Sequence, residues 1–155
     1  MRILIVDDNQ EQLTAAKEQL GSEHELVTMS RYEEAENILA RVLRGEEPPF
    51  DAVLTDLLMP APRLDACRSS NIIGQEMPIG TTLAFLALRA GTNKVAVVSN
   101  MNHHKHPASA ALDPFLHPFR LGDCVILLTN CHLVWHTETK DWSHALYELI
   151  NAAEQ

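Results

Sequence analysis

Ile3-Leu4-Ile5-Val6-Asp7-Asp8-Asn9 sets the architecture expected of this chain. Four consecutive aliphatic residues closed by two acids describe a strand buried on both faces that stops at a polar edge. The same pattern returns at Ala52-Val53-Leu54-Thr55, which stops at Asp56 and continues as Leu57-Leu58-Met59-Pro60. If the two runs are neighbouring parallel strands, three carboxylates meet at one sheet edge. Crowded carboxylates repel, so the cluster requires a cation or a proton. A hard divalent ion with oxygen ligands, Mg²⁺ first among them, meets that requirement.

Outward from these runs, strand and helix patterns alternate. Gln10 to Leu20 carries Leu13, Ala16, Lys17 and Leu20 at helical spacing, with Gly21 as a stop. Glu25 to Met29 reads as a second strand. Ser30 is expected to cap a helix from Arg31 to Leu43, with Glu33 as its capping-box partner. Ala35, Ile38, Leu39 and Val42 form the core stripe of that helix. After Asp56 the rhythm breaks at Pro60, Pro62, Gly74, Pro78 and Gly80. A helix is expected over Thr81 to Ala90, with Gly91 as its stop. The connection, about 20 residues against a usual ~4–6, marks residues 61–80 as an insertion or functional loop. Lys94 to Val98 is a strand ending at Ser99-Asn100, a short helix follows over Ala108 to Leu112, Cys124 to Thr129 is a fifth strand, and Asp141 to Ala153 a closing helix. Five alternating strands predict an open parallel sheet, with ligands beyond the carboxyl ends of the strands.

The 155 residues fit one domain, and 46% hydrophobic content is ordinary for a globular chain. A formal charge of −9 argues against nonspecific binding to nucleic acid or to anionic membrane. No signal peptide and no membrane span are read. Cys67, Cys124 and Cys131 form no zinc-like pair and are expected as reduced thiols of a cytoplasmic protein.

Ile3 to Asn9, Leu54 to Pro60 and Val97-Val98-Ser99 together resemble the receiver domain of two-component response regulators. The resemblance is good over residues 1–60, fair over 92–100 and poor elsewhere. It implies a single receiver domain over 1–155 with a five-stranded flavodoxin-like (βα)₅ sheet in the order 2-1-3-4-5. It implies Asp56 as acceptor of a phosphoryl group from a histidine kinase or phosphotransfer protein, followed by docking to a downstream protein. It also implies Mg²⁺ bound by Asp8, Asp56 and the Leu58 carbonyl, with Asp7 acting mostly through water, and Ser99 on the phosphoryl group. No catalysis beyond self-phosphorylation at Asp56 is expected. A carboxylate attacking phosphorus is a legitimate covalent nucleophile, and its burden is mostly positioning and charge neutralisation.

The family also places a lysine just after the fifth strand, where this chain has Thr129 or Asn130. A second register reads Phe115-Leu116-His117-Pro118-Phe119 as that motif, with His117 substituted. Lys17 lies mid-helix, Lys94 starts a strand at the wrong end and Lys140 precedes the last helix, so the lysine is read as missing. Lys105 or a neighbouring histidine remains as a reach-in group. His103, His104 and His106 form the densest titratable cluster, open to metal binding or acid–base work. Two further readings follow: a non-switching receiver-like interaction module, and a metal-dependent hydrolase or phosphatase with the 61–80 loop as lid. Trp135 and Trp142 are read as packing residues.

Overall fold

A computed structural model describes residues 1–62, 71–101, 104, 106–115, 117–130 and 138–154. In chain order the elements are β1 (Arg2–Val6), α1 (Gln10–Leu20), β2 (Glu25–Met29), α2 (Tyr32–Leu43), β3 (Ala52–Asp56), β4 (Met59–Pro60), β5 (Glu76–Met77), α3 (Gly80–Arg89), β6 (Lys94–Ser99), α4 (Pro107–Ala110), a 3₁₀ turn Asp113–Phe115, β7 (Phe119–Leu121), β8 (Cys124–Asn130) and α5 (Trp142–Ala153).

Alternation along the strands builds the layers, because successive side chains leave a strand on opposite faces. Leu4, Val6, Val53, Val95 and Val97 pack under α2 and α3, with Tyr32, Ala35, Leu39 and Leu83. Ile3, Ile5, Leu54, Ala96 and Val98 pack on the other face, against Leu13 and Ala16 of α1 and Trp142, Leu146 and Leu149 of α5. With both faces covered, the strands need no polar side, which is why they read as continuous apolar runs. Ile38 lies at the margin of the α2 stripe, partly buried.

The main sheet has six strands in the order β2-β1-β3-β6-β8-β7, parallel except for the last. The expected sheet of five strands in the order 2-1-3-4-5 is corrected to one of six, with an antiparallel strand added at the β8 edge. The chain crosses back at Phe119–Leu121 and pairs antiparallel with β8, with Phe119 opposite Ile126 and Leu121 opposite Cys124. This reversal also removes the register that placed a lysine motif at Phe115 to Phe119. A separate two-stranded ribbon was not foreseen: Met59 pairs with Met77 and Pro60 with Glu76, so the insertion after β3 leaves and returns at one place. The Ser30 cap is a second correction. Arg31 is the N-cap residue of α2, with no side-chain cap bond, and the helix starts at Tyr32.

Two glycines set chain reversals. Gly91, at φ 92°, ends the α3 region in the left-handed conformation that a Cβ disfavours. Gly80 opens α3 directly against the end of β3; its N–H bonds the Leu57 carbonyl at 3.1 Å. A Cβ there would stand 1.8 Å from the Asp56 carbonyl oxygen. At the opposite end of the sheet Arg2 ties the N-terminal edge together, bonding Glu25 and Glu47 and stacking over Phe50. Among the described residues, no helix is long and apolar enough to cross a membrane.

Candidate functional site: an acidic cavity closed by a buried lysine

The parallel register brings the ends of β1 and β3 level, with Val6 opposite Thr55, so Asp7 and Asp56 emerge side by side. Asp7 is buried, with 1% of its surface exposed. Its Oδ1 accepts the Asn9 N–H at 2.9 Å, an Asx turn that leads into α1. Asn9 then caps the helix, its side chain accepting the Glu11 N–H at 2.8 Å. Asp56 is also buried, and its Oδ1 accepts the Leu57 N–H at 2.8 Å. Asp8 turns outward. One carboxylate oxygen from each of Asp7, Asp8 and Asp56 lies within 4.8 Å of the others, and among the described residues this is the group able to hold a metal ion.

The cation that balances them is Lys140, which the sequence reading set aside. Its Nζ stands 2.6 Å from Asp7 Oδ2 and 2.6 Å from Asp56 Oδ1, with 1% of the side chain exposed. The segment before α5 is pinned to α1. The Lys140 N–H donates to Gln12 Oε1 at 2.7 Å, Gln19 Nε2 donates to the Lys140 carbonyl at 3.0 Å, and Trp142 Nε1 donates to the Gln12 carbonyl at 3.1 Å. Lys140 Nζ also lies 5.3 Å from the Trp142 ring centroid, within cation–π range. The sequence narrows the choice to Lys105 and Lys140. A carboxylate cluster needs a cation, the chain has few lysines, and two of them sit on elements that cannot reach the cluster.

Burial pushes the Asp56 carboxyl up to about 6, with Asp7 adding to the shift and Lys140 opposing it. Ion pairing with Asp56 and then Asp7 holds the Lys140 ammonium above its ordinary range against the cost of burial. Asp8 is raised too, first by loss of hydration on its inner side and then by Asp7, with a smaller push from Glu76. With all groups ionised, two buried carboxylates share one ammonium. The site therefore keeps an unbalanced negative charge suited to an added cation.

The cavity above this cluster has a volume of about 200 Å³, and Asp8, Leu58, Glu76, Asn100, Met101 and Lys140 are among its lining. Glu76 comes from β5, so the insertion supplies a fourth acid. Ser99 ends β6 at the same edge but is fully buried beside the cavity rather than lining it. Its hydroxyl pairs with the Ser109 hydroxyl of α4 at 3.1 Å and accepts the Met101 N–H at 3.2 Å. His106 is the N-cap residue of α4 and His104 is exposed; neither lines the cavity. His103, Lys105, Cys67, Cys131 and Trp135 lie outside the described residues.

The donors that Asp7, Asp8 and Asp56 offer are carboxylate oxygens, which fit a hard ion such as Mg²⁺ rather than a thiophilic metal. Compared with models of known protein families and with curated proteins, the sequence matches none.

Proposed function

We propose that this chain is a receiver-like phosphoacceptor module, accepting a phosphoryl group on Asp56 from a histidine kinase or phosphotransfer protein in cytoplasmic signalling. The observation that carries the reading is the Lys140 ammonium held between Asp7 and Asp56. A buried cation at a carboxylate nucleophile is what phosphoryl transfer needs to neutralise incoming charge. The topology supports it. Taken by chain rank, the five parallel strands β1, β2, β3, β6 and β8 follow the order 2-1-3-4-5, the flavodoxin-like arrangement with its site at the carboxyl edge.

In the proposed reaction an Asp56 carboxylate oxygen attacks phosphorus. An O–P bond forms as the bond to the donor breaks, and the donor leaves with the electron pair: an imidazole nitrogen from phosphohistidine, an acetate from acetyl phosphate. Lys140 Nζ, 2.6 Å from Asp56 Oδ1, would pair with a phosphoryl oxygen once Asp56 is esterified. Asp8, Asp56 and the Leu58 carbonyl would hold Mg²⁺, with Asp7 acting through water; the ion would supply charge neutralisation at the phosphoryl oxygens. The product adds about −1.5 to −2 charges at pH 7 and thereby offers a new partner to Ser99.

A second reading, an interaction module that does not switch, is favoured by Ser99, whose hydroxyl is already engaged by Ser109. Incubation with acetyl phosphate and Mg²⁺, followed by intact mass, separates the two. Added phosphate that Asp56→Asn abolishes supports the first reading. Divalent-ion binding with no mass increase supports the second. Absence of divalent-ion binding refutes the shared acidic-pocket premise.

A further inference from the structure

We infer that Gln12 is a positioning residue for Lys140: α1, rather than the strand that precedes the lysine in the sheet, sets where the ammonium stands in the acidic cavity. Gln12 is 4% exposed, in the first turn of a helix whose other buried residues, Leu13, Ala15, Ala16 and Leu20, are all aliphatic. Burying an amide so deeply costs free energy unless its polar atoms are used. Both ends of Gln12 are used on one segment. Its side-chain Oε1 takes the Lys140 N–H at 2.7 Å and its main-chain carbonyl takes Trp142 Nε1 at 3.1 Å. A second glutamine, Gln19, two turns further along the same face, takes the Ser143 N–H on Oε1 at 3.1 Å and donates to the Lys140 carbonyl at 3.0 Å. The backbone on both sides of Lys140 is thus gripped by α1, and Asn9, the cap of α1, bonds Asp7. One rigid helix therefore carries both the acid at the end of β1 and the register of the cation that bonds it.

A shift of the Lys140 backbone moves the ammonium relative to both carboxylates, and a misplacement of about 1 Å at a reacting centre can cost roughly 10²-fold in rate. Gln12 itself lines the cavity, and its side-chain oxygen is spent on the Lys140 N–H, so its role is to place the charge. The inference leans on the phosphoacceptor reading only for its rate measurement.

The test compares wild type with Gln12→Met, which keeps volume without an acceptor, and Gln12→Asn, which withdraws the amide by one methylene. Folded protein, checked by circular dichroism, is exposed to a water-soluble amine-acylating reagent, and each lysine is read by peptide mass. Exposed Lys17 serves as the internal standard. Lys140 acylation is expected to rise about tenfold in Gln12→Met and Gln12→Asn, the equivalent of losing roughly one hydrogen bond, with Lys17 unchanged. Unchanged protection of Lys140 in the folded Met and Asn variants overturns the inference. Phosphate uptake at Asp56 from acetyl phosphate is expected to slow about tenfold or more in Gln12→Met, and an unchanged rate with exposed Lys140 overturns the positioning role. If wild type takes up no phosphate, the functional reading fails, and the acylation pattern alone still decides the role of Gln12.

Discussion

Replacing Lys140 by Met tests the centre of the structural argument. The ammonium is 99% covered and sits 2.6 Å from each of two buried carboxylate oxygens. Methionine fills similar space and carries no charge, so the variant leaves Asp7 and Asp56 facing each other uncompensated. Removing one partner of a buried ion pair typically costs about 3–5 kcal/mol. For a domain of this size that corresponds to a fall of roughly 6–20 °C in Tm, at about 2–4 °C per kcal/mol. The loss has a pH signature. Asp56 already titrates at about 6 in the folded chain, above the ordinary carboxylate range, and Lys140 is what pulls it down. Without Lys140 the folded-state value climbs further. A folded state that binds the proton more tightly than the unfolded chain loses stability as pH rises through that range. The deficit of Lys140→Met against wild type should therefore be smallest near pH 5 and largest near pH 8. Urea titrations at both pH values, with chelator present to exclude divalent ions, measure it. A deficit under about 1 kcal/mol at pH 8, or one that does not change between the two pH values, would refute the placement of Lys140 between the acids.

Other outcomes follow from the same geometry. Asp56→Asn removes the like-charge partner of Asp7 and leaves Lys140 paired with one acid; in chelator it should gain about 1–3 kcal/mol at pH 8, a gain that vanishes near pH 4, where wild-type Asp56 is already protonated. Mg²⁺ at 100 times its dissociation constant should raise wild-type stability by about 2.7 kcal/mol, and much less in Asp8→Asn, read by thermal melts across a Mg²⁺ series. Gly80→Ala should cost more than about 3 kcal/mol or prevent folding, measured by denaturant midpoint, since its Cβ meets backbone at 1.8 Å rather than a side chain that can move. Asp141→Ala deletes the N-cap bond to the His144 N–H, 2.9 Å, and should cost about 1 kcal/mol without exposing Lys140.

The sheet was legible because burial on both faces writes itself as unbroken aliphatic runs: Ile3 to Val6, Ala52 to Leu54, Val95 to Val98. The three acids of the site were legible because charged residues at the ends of such runs have one place to go. Pieces of two or three residues were not. Met59–Pro60, Glu76–Met77 and Phe119–Leu121 are too short to show a period, and their pairing comes from chain reversals that tertiary contacts decide. The start of α2 was misjudged because Ser30 followed by Glu33 has the form of a capping box, yet Arg31 takes the cap position. Lys140 was missed for a different reason. A lysine between a threonine and an aspartate reads as exposed, and its burial depends on two glutamines more than a hundred residues earlier.

The three-residue strand β7 has a meaning for behaviour at high concentration. β8 carries Val125-Ile126-Leu127-Leu128, a run of high β-propensity without a charge, and a bare edge of that kind invites pairing with other molecules. β7 occupies the first part of that edge, pairing with Cys124 to Ile126. It is itself short, is preceded by Pro118, and projects Arg120, whose guanidinium is fastened to the carbonyls of Ala152 and Ala153 at the end of α5. The antiparallel strand thus serves as a gatekeeper, presenting to other molecules a clipped, charged border in place of the adhesive one behind it.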